Sequence, residues 1–263
     1  MSSFYESSRF SMSGKGLQAV VVVCGCLALS GCETGGTGLG LNIVPESQVE
    51  QMGLESWQAI KSETPVSRNA AHQRMAQDVA NRVLQAVGKN PREWEVVVFA
   101  SEEPNAFALP GKKIGVYDGM FKVANTPDRL AAVIGHEIGH VDAAHAAERV
   151  NTEAGTQIGV QLISNVLGAS TSVSQETLQA LLGAGAQYGV ALPYSRNQEL
   201  EADGIGLRYM AQAGYNPRAA VEVWQNMSQL GASQPAWLST HPAPQQRIDA
   251  LERMIPEVSA GRR

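Results

Sequence analysis

Two histidines, His136 and His140, stand four residues apart inside an otherwise apolar run, Ala131–His145 (AAVIGHEIGHVDAAH). Positions four apart share one face of a helix, so both imidazoles can reach a single metal ion. The flanks Ala131–Ile134 and Ile138 mark a buried helix, and a buried pair of imidazoles needs a partner, of which a metal ion is the usual one. Histidines on a solvated helix would not be set in such flanks. Glu137 is turned about 100° around the helix from His136. Its carboxylate therefore falls beside the metal's open position rather than on the metal. There it can accept a proton from a water that the metal activates and hand it to a leaving amine. His145 is five residues past His140, about 140° round the same helix, and is excluded as a third ligand.

A catalytic zinc ion needs a third protein ligand, and Tyr194–Met210 (YSRNQELEADGIGLRYM) offers three acids on a second helical stretch. Glu199 and Asp203 are four apart and share a face, whereas Glu201 points roughly the other way. The spacing supports Glu199 on the metal, with Asp203 behind it accepting an imidazole N–H from a ligand histidine. Acids on helices are more often solvated, so this assignment leans on the neighbouring His136–His140 pair. Arg247 and Arg196 are candidates to buttress these carboxylates, and His72 lies on a polar helix expected to face solvent.

The rest of the chain divides by its periodicity. Residues 45–61 and 67–87 are expected helices, the second ended by Gly88 and Pro91. The β-branched run 95–100 and the segments 105–109 and 113–117 are expected strands, separated by Pro and Gly turns. Beyond Gly119 the pattern is helical almost to the end. Strands first and helices after predict an α+β fold, mostly helical, with a small antiparallel sheet next to the active-site helix. No linker divides residues 45–258, which form one expected domain. The nearly uncharged run Ala154–Val190 reads as two closely packed helices in preference to a membrane-dipping hairpin, because Ser170–Glu176 breaks it below spanning length.

At the N-terminus, residues 16–32 (GLQAVVVVCGCLALSGC) follow Arg9 and Lys15 and form a secretion signal too short to span a bilayer. Met12 is an alternative start. The run ends in Leu29-Ser30-Gly31-Cys32, which resembles a bacterial lipobox. By that resemblance residues 1–31 are removed, Cys32 becomes the acylated N-terminus, and residues 32–44 are a Gly/Thr-rich tether. All three cysteines lie in this segment, so no disulfide holds the mature chain together. The formal charge of −5 becomes one unit more negative when Arg9, Lys15 and Glu6 leave. Acidic balance and the lack of a basic block exclude nucleic acid as a partner and leave membrane attachment to the acyl chains. Glu33 after the cysteine resembles an outer-membrane address, which puts the protein on the periplasmic face of a Gram-negative outer membrane.

Three runs, His136–His140, Ser195–Asp203 and Ser239–Pro242 (STHP), together resemble the HtpX-like zinc metallopeptidases. That family includes the CAAX prenyl proteases and the periplasmic BepA- and LoiP-type enzymes, and the likeness covers about residues 45–255. The lipobox and short length are most similar to the small LoiP-like lipoproteins. The resemblance implies a zincin-like fold, one zinc per chain and Glu199 as ligand. It also implies His241 near the metal, either as an oxyanion donor or as a removable latch, and Asn105-Ala106-Phe107-Ala108 as an edge strand beside the site. Such a strand binds an extended peptide through main-chain hydrogen bonds. The expected function is a zinc endopeptidase cleaving unfolded or misassembled envelope proteins. The alternative is a lipoprotein chaperone or assembly factor with a latched or vestigial zinc site, and an intact Glu137 counts against that.

Overall fold

The computed structural model of the chain describes residues 43–166, 194–230, 236–242 and 244–260. Cys32, the signal segment and most of the tether lie outside the described residues, as does much of the Ala154–Val190 run. Helix α1 spans Glu46–Glu63 and α2 spans Ala70–Ala86. Asn69 starts α2 by accepting from the N–H groups of Ala71 and His72, satisfying two donors that a helix end leaves unpaired. The apolar face of α2 (Ala76, Val79, Ala80, Val83 and Leu84) is buried in the main core.

Strands β1 (Glu95–Phe99), β2 (Ala106–Leu109) and β3 (Lys113–Tyr117) form a sheet in the order β1-β3-β2. The β2–β3 pair is antiparallel, as expected, but β1 runs parallel to β3, so the sheet is mixed. The physical reason is the central place of β3. The connection after β1 carries the chain across to start β2, and the turn at Pro110–Lys112 brings β3 back between them. The outer edge of β1 is closed by Gln73, whose side-chain amide donates to Val98 O and accepts from Val98 N. Next to it, Ser67 N donates to Val98 O and Ala100 N donates to Pro65 O. On β2, by contrast, Ala108 turns its N–H away from β3 toward the next helix. Trp57 of α1 packs with Phe99 and Phe107 in a second, smaller core over the sheet.

Helix α3 (Pro127–Asp142) carries the paired histidines. Thr126 caps it by accepting from Arg129 N, and Pro127 occupies the first turn, where a missing N–H costs nothing. The chain then breaks at Ala143–Ala144 and restarts as α4 (His145–Val166). Helix α5 (Arg196–Gln212) begins at a capping box between Ser195 and Gln198. It is followed by α6 (Ala219–Ser228), the short α7 (Ala236–Thr240) and α8 (Pro244–Ala260). Helices α3 and α5 cross main chain against main chain. A Cβ on Gly206 would lie 2.6 Å from the backbone N of His136, and one on Gly139 would lie 2.9 Å from Ala202 O. No helix among the described residues is long and apolar enough to cross a membrane.

Candidate metal centre

The close crossing of α3 and α5 sets Glu199 against the two histidines. His136 Nε2 and His140 Nε2 are 3.0 Å apart, and Glu199 places Oε2 at 3.7 Å from the first and Oε1 at 3.4 Å from the second. His241, just past the end of α7, completes the group. The donor atoms of His136, His140, Glu199 and His241 all lie within 4.8 Å of one another, and all four residues are buried. Neither Glu199 oxygen nor His241 Nε2 has a hydrogen bond of ordinary geometry among the described residues. Buried polar atoms without partners are costly. Two imidazole nitrogens facing each other at hydrogen-bond distance beside a buried carboxylate are what a divalent cation would satisfy. The donor set, imidazole plus carboxylate, suits zinc.

Glu199 is fully buried and Glu201 is half exposed, as the helical-face argument requires. Asp203 lies behind His136, with Oδ1 3.0 Å from Nδ1. Arg247 of α8 is fully buried, packs 4.1 Å over Trp224 and grips Asp203 with both ends of its guanidinium, Nε to Oδ2 at 2.7 Å and Nη2 to Oδ1 at 2.6 Å. Its Nη1 pairs with Glu199. Arg247 is thus a buttress as expected, whereas Arg196 is exposed at the start of α5. His72 departs from expectation. It is half-buried, with Nδ1 2.8 Å from Asp118 Oδ1 and its ring stacked on Phe121.

Charge in this pocket follows from burial. Burial raises Glu137 and Glu199 each to about 8 and lowers His136 to about 4. It also carries His140 and His241 well below the ordinary imidazole range. Asp203 would be raised by burial, but the Arg247 pair overrides it and holds the carboxyl below its ordinary value. The same pairing outweighs burial at Arg247 and keeps it charged. A cation among the ligands would reverse the sign for Glu199 by favouring its ionised form.

Glu137 stands beside the ligand cluster, not in it. Its Oε2 accepts the Ala108 N–H at 3.2 Å, its Oε1 accepts the Trp237 indole N–H at 3.2 Å, and His241 Nε2 lies 3.4 Å from Oε1. A small pocket here is bounded by Phe107, Ala108, Glu137, Arg149, Tyr194 and His241. Ala106 opens the same strand, which starts one residue later than expected, and Asn105 lies just before it; both are buried. Two residues were not anticipated. Tyr194 stacks on the His140 ring at 3.8 Å, and Trp237 lies four residues before His241 on the same helical face. The second had a signal in that spacing; the first had none beyond adjoining the α5 cap.

Comparison with known proteins finds metalloendopeptidases among those the chain is similar to. The model of peptidase family M48 matches residues 67–255. The mitochondrial metalloendopeptidase OMA1 of Schizosaccharomyces pombe is 37% identical over 188 residues, covering 70% of this chain and 53% of the relative. The metalloendopeptidase OMA1, mitochondrial, of Homo sapiens is 32% identical over 174 residues, covering 62% and 33%. The beta-barrel assembly-enhancing protease of Escherichia coli (strain K12) is 25% identical over 214 residues, covering 78% and 44%. The matched stretch is about half of these relatives' length, or less.

Proposed function

Because the chain belongs to peptidase family M48, we propose that it is a zinc-dependent endopeptidase, anchored by Cys32 to the periplasmic face of the outer membrane, that cleaves unfolded or misassembled envelope proteins. The observation that carries this reading is Glu137, buried, aimed by two donors and set beside a four-donor metal cluster. Metal storage alone would not need it. His136, His140 and Glu199 would hold the zinc. When bound, zinc supplies the Lewis acid that acidifies water and takes up negative charge developing at the peptide carbonyl.

The chain's own residues supply the rest. Glu137 accepts the water's proton and returns it to the departing amine nitrogen. Asp203 accepts from His136 Nδ1 and so keeps Nε2 turned to the metal. Strand β2, through Ala106, Phe107 and Ala108, with Asn105 just before it, would align an extended peptide through main-chain hydrogen bonds, a mode tolerant of sequence. That suits a quality-control enzyme whose substrates share disorder rather than a motif. His241 we assign as a latch. Its Nδ1 lies 2.7 Å from the Thr240 hydroxyl, which itself donates to Trp237 O, and 3.1 Å from that carbonyl, so a proton on Nδ1 finds acceptors and the Nε2 lone pair faces the site. The small LoiP-like lipoproteins remain the proposed subgroup, supported by the lipobox and Glu33.

The test is cleavage of an unfolded casein-type substrate by the mature protein, with zinc content measured on the same samples. Glu137→Gln should keep its zinc and lose about 10²–10⁴-fold in rate, the share a general base supplies. Unchanged activity in that variant, or a protein that binds no zinc, would reject the proposal.

A further inference from the structure

His140 turns its two ring nitrogens to different surroundings. Nε2 faces His136 and Glu199, on the side of the candidate metal. Nδ1 lies 2.9 Å from Nδ1 of His145, and the far nitrogen of His145, Nε2, lies 3.3 Å from Glu201 Oε2. Proton positions along this chain are not free. If His140 keeps a lone pair on Nε2, its proton sits on Nδ1 and is donated to His145 Nδ1. His145 must then carry its own proton on Nε2, where the Glu201 carboxylate accepts it. Every donor points outward, from the ligand cluster to the acid.

We propose that His145 and Glu201 form a hydrogen-bonded relay that fixes the tautomer and ring orientation of His140. They are positioning residues; neither touches the reacting atoms. The proposal rests on the reading of His136, His140 and Glu199 as the zinc ligands. It gives each ligand histidine its own outer carboxylate, Asp203 directly behind His136 and Glu201 behind His140 through one intervening imidazole.

A second observation is independent of those distances. On an unbroken helix His145 would lie about 140° around from His140 and could not meet its ring. The chain breaks between them, and Ala144 adopts φ 54, the left-handed region that a residue with a Cβ rarely enters. That break restarts the helix at His145 and returns its imidazole, fully buried, to the His140 ring. A strained backbone at this point, held in place beside a cluster of ligands, is consistent with selection for where His145 ends up.

The deciding measurement is zinc affinity of the full chain by chelator competition, together with the visible absorption of the cobalt(II)-substituted protein. His145→Phe should weaken zinc binding 10–100-fold, the loss typical when a partner behind a ligand is removed. His145→Gln, whose amide can accept from His140 and donate to Glu201, should recover most of it. Glu201→Ala acts on a half-exposed side chain outside the core, so it should fold normally and still lose several-fold in affinity. Because the two act in series, Glu201→Ala should cost nothing more in the His145→Phe background. The cobalt absorption bands should shift in His145→Phe, while the melting temperature of the metal-free protein should not fall in Glu201→Ala. Parent-like affinity and spectrum in both single variants would overturn the relay, as would equal Glu201→Ala losses in the two backgrounds. A parent protein that binds no zinc would instead reject the metal site itself, and the relay with it.

Discussion

Trp237 donates its indole N–H to Glu137 across 3.2 Å, from a five-residue helix to the middle of α3, with both side chains buried. Together with the Ala108 N–H on the other oxygen, this bond favours the ionised form of a carboxyl that burial pushes up to about 8. Trp237→Phe keeps a ring against Trp224 but removes the donor. Loss of a donor to the charged form raises the pKa further, so the acid limb of the rate profile should move to higher pH, with zinc content unchanged. An unmoved limb would remove Trp237 from any part in setting the base.

Arg247 neutralises two buried carboxylates at once. Arg247→Met fills similar volume but leaves Asp203 and Glu199 uncompensated. The metal-free protein should lose about 3–5 kcal/mol, as when one partner of a buried pair is removed. Saturating zinc should restore part of that, since a cation can stand in at Glu199. Denaturant unfolding with and without zinc measures both, and equal losses in the two conditions would contradict the shared role.

Stability of the metal-free protein should peak near pH 6.5. Glu137 and Glu199 are raised from 4.5 to about 8, so between those values the folded chain binds protons that the unfolded chain does not. Their contribution is full below 4.5 and is lost as pH rises through about 8. The buried histidines oppose this from the other side. His136 is lowered to about 4, and His140 and His241 lie well below 6.5, so stability falls as pH drops under 6.5. Melting temperatures across this range should show the maximum, and Glu137→Gln should flatten its alkaline limb.

His241→Ala separates latch from oxyanion donor. A latch predicts more basal cleavage with zinc retained. An oxyanion donor predicts a fall on the order of 10²–10³ in turnover. Cleavage of unfolded casein, read beside zinc content, decides between them.

Cys32→Ser should abolish incorporation of labelled palmitate and release the protein from outer-membrane fractions. Membrane association that survives the substitution would sink the lipid-anchor proposal.

Much of the site was legible because its chemistry is local to two helices. His136, Glu137 and His140 follow from spacing on one apolar helix, and the choice of Glu199 over Glu201 follows from helical faces once that histidine pair is in place. The same face rule kept His145 out of the ligand group, where the structure also leaves it, but misplaced its ring relative to His140, since it assumes an unbroken helix. The interruption is made by Ala144, a residue that gives no warning of a left-handed backbone as glycine would. Trp237 was missed because its partner is 100 residues away and is chosen by tertiary packing. Strand positions were readable from β-branched runs, but partner choice is not a local property, hence the parallel β1–β3 pair. The lipobox and residues 167–190 of the Ala154–Val190 run fall outside the described residues.

The glycine-lined crossing of α3 and α5 has a consequence for how this protein can change over time. Helices that touch through their backbones leave side-chain repacking little influence over their separation. Leu207, Ile134 or Met210 can be exchanged for other apolar residues while the spacing from His136 to Glu199 holds. The donor geometry is thereby buffered against drift in the surrounding core. Its fragility is concentrated instead at Gly139 and Gly206, where a single added methyl would wedge the helices apart and carry the ligands with them.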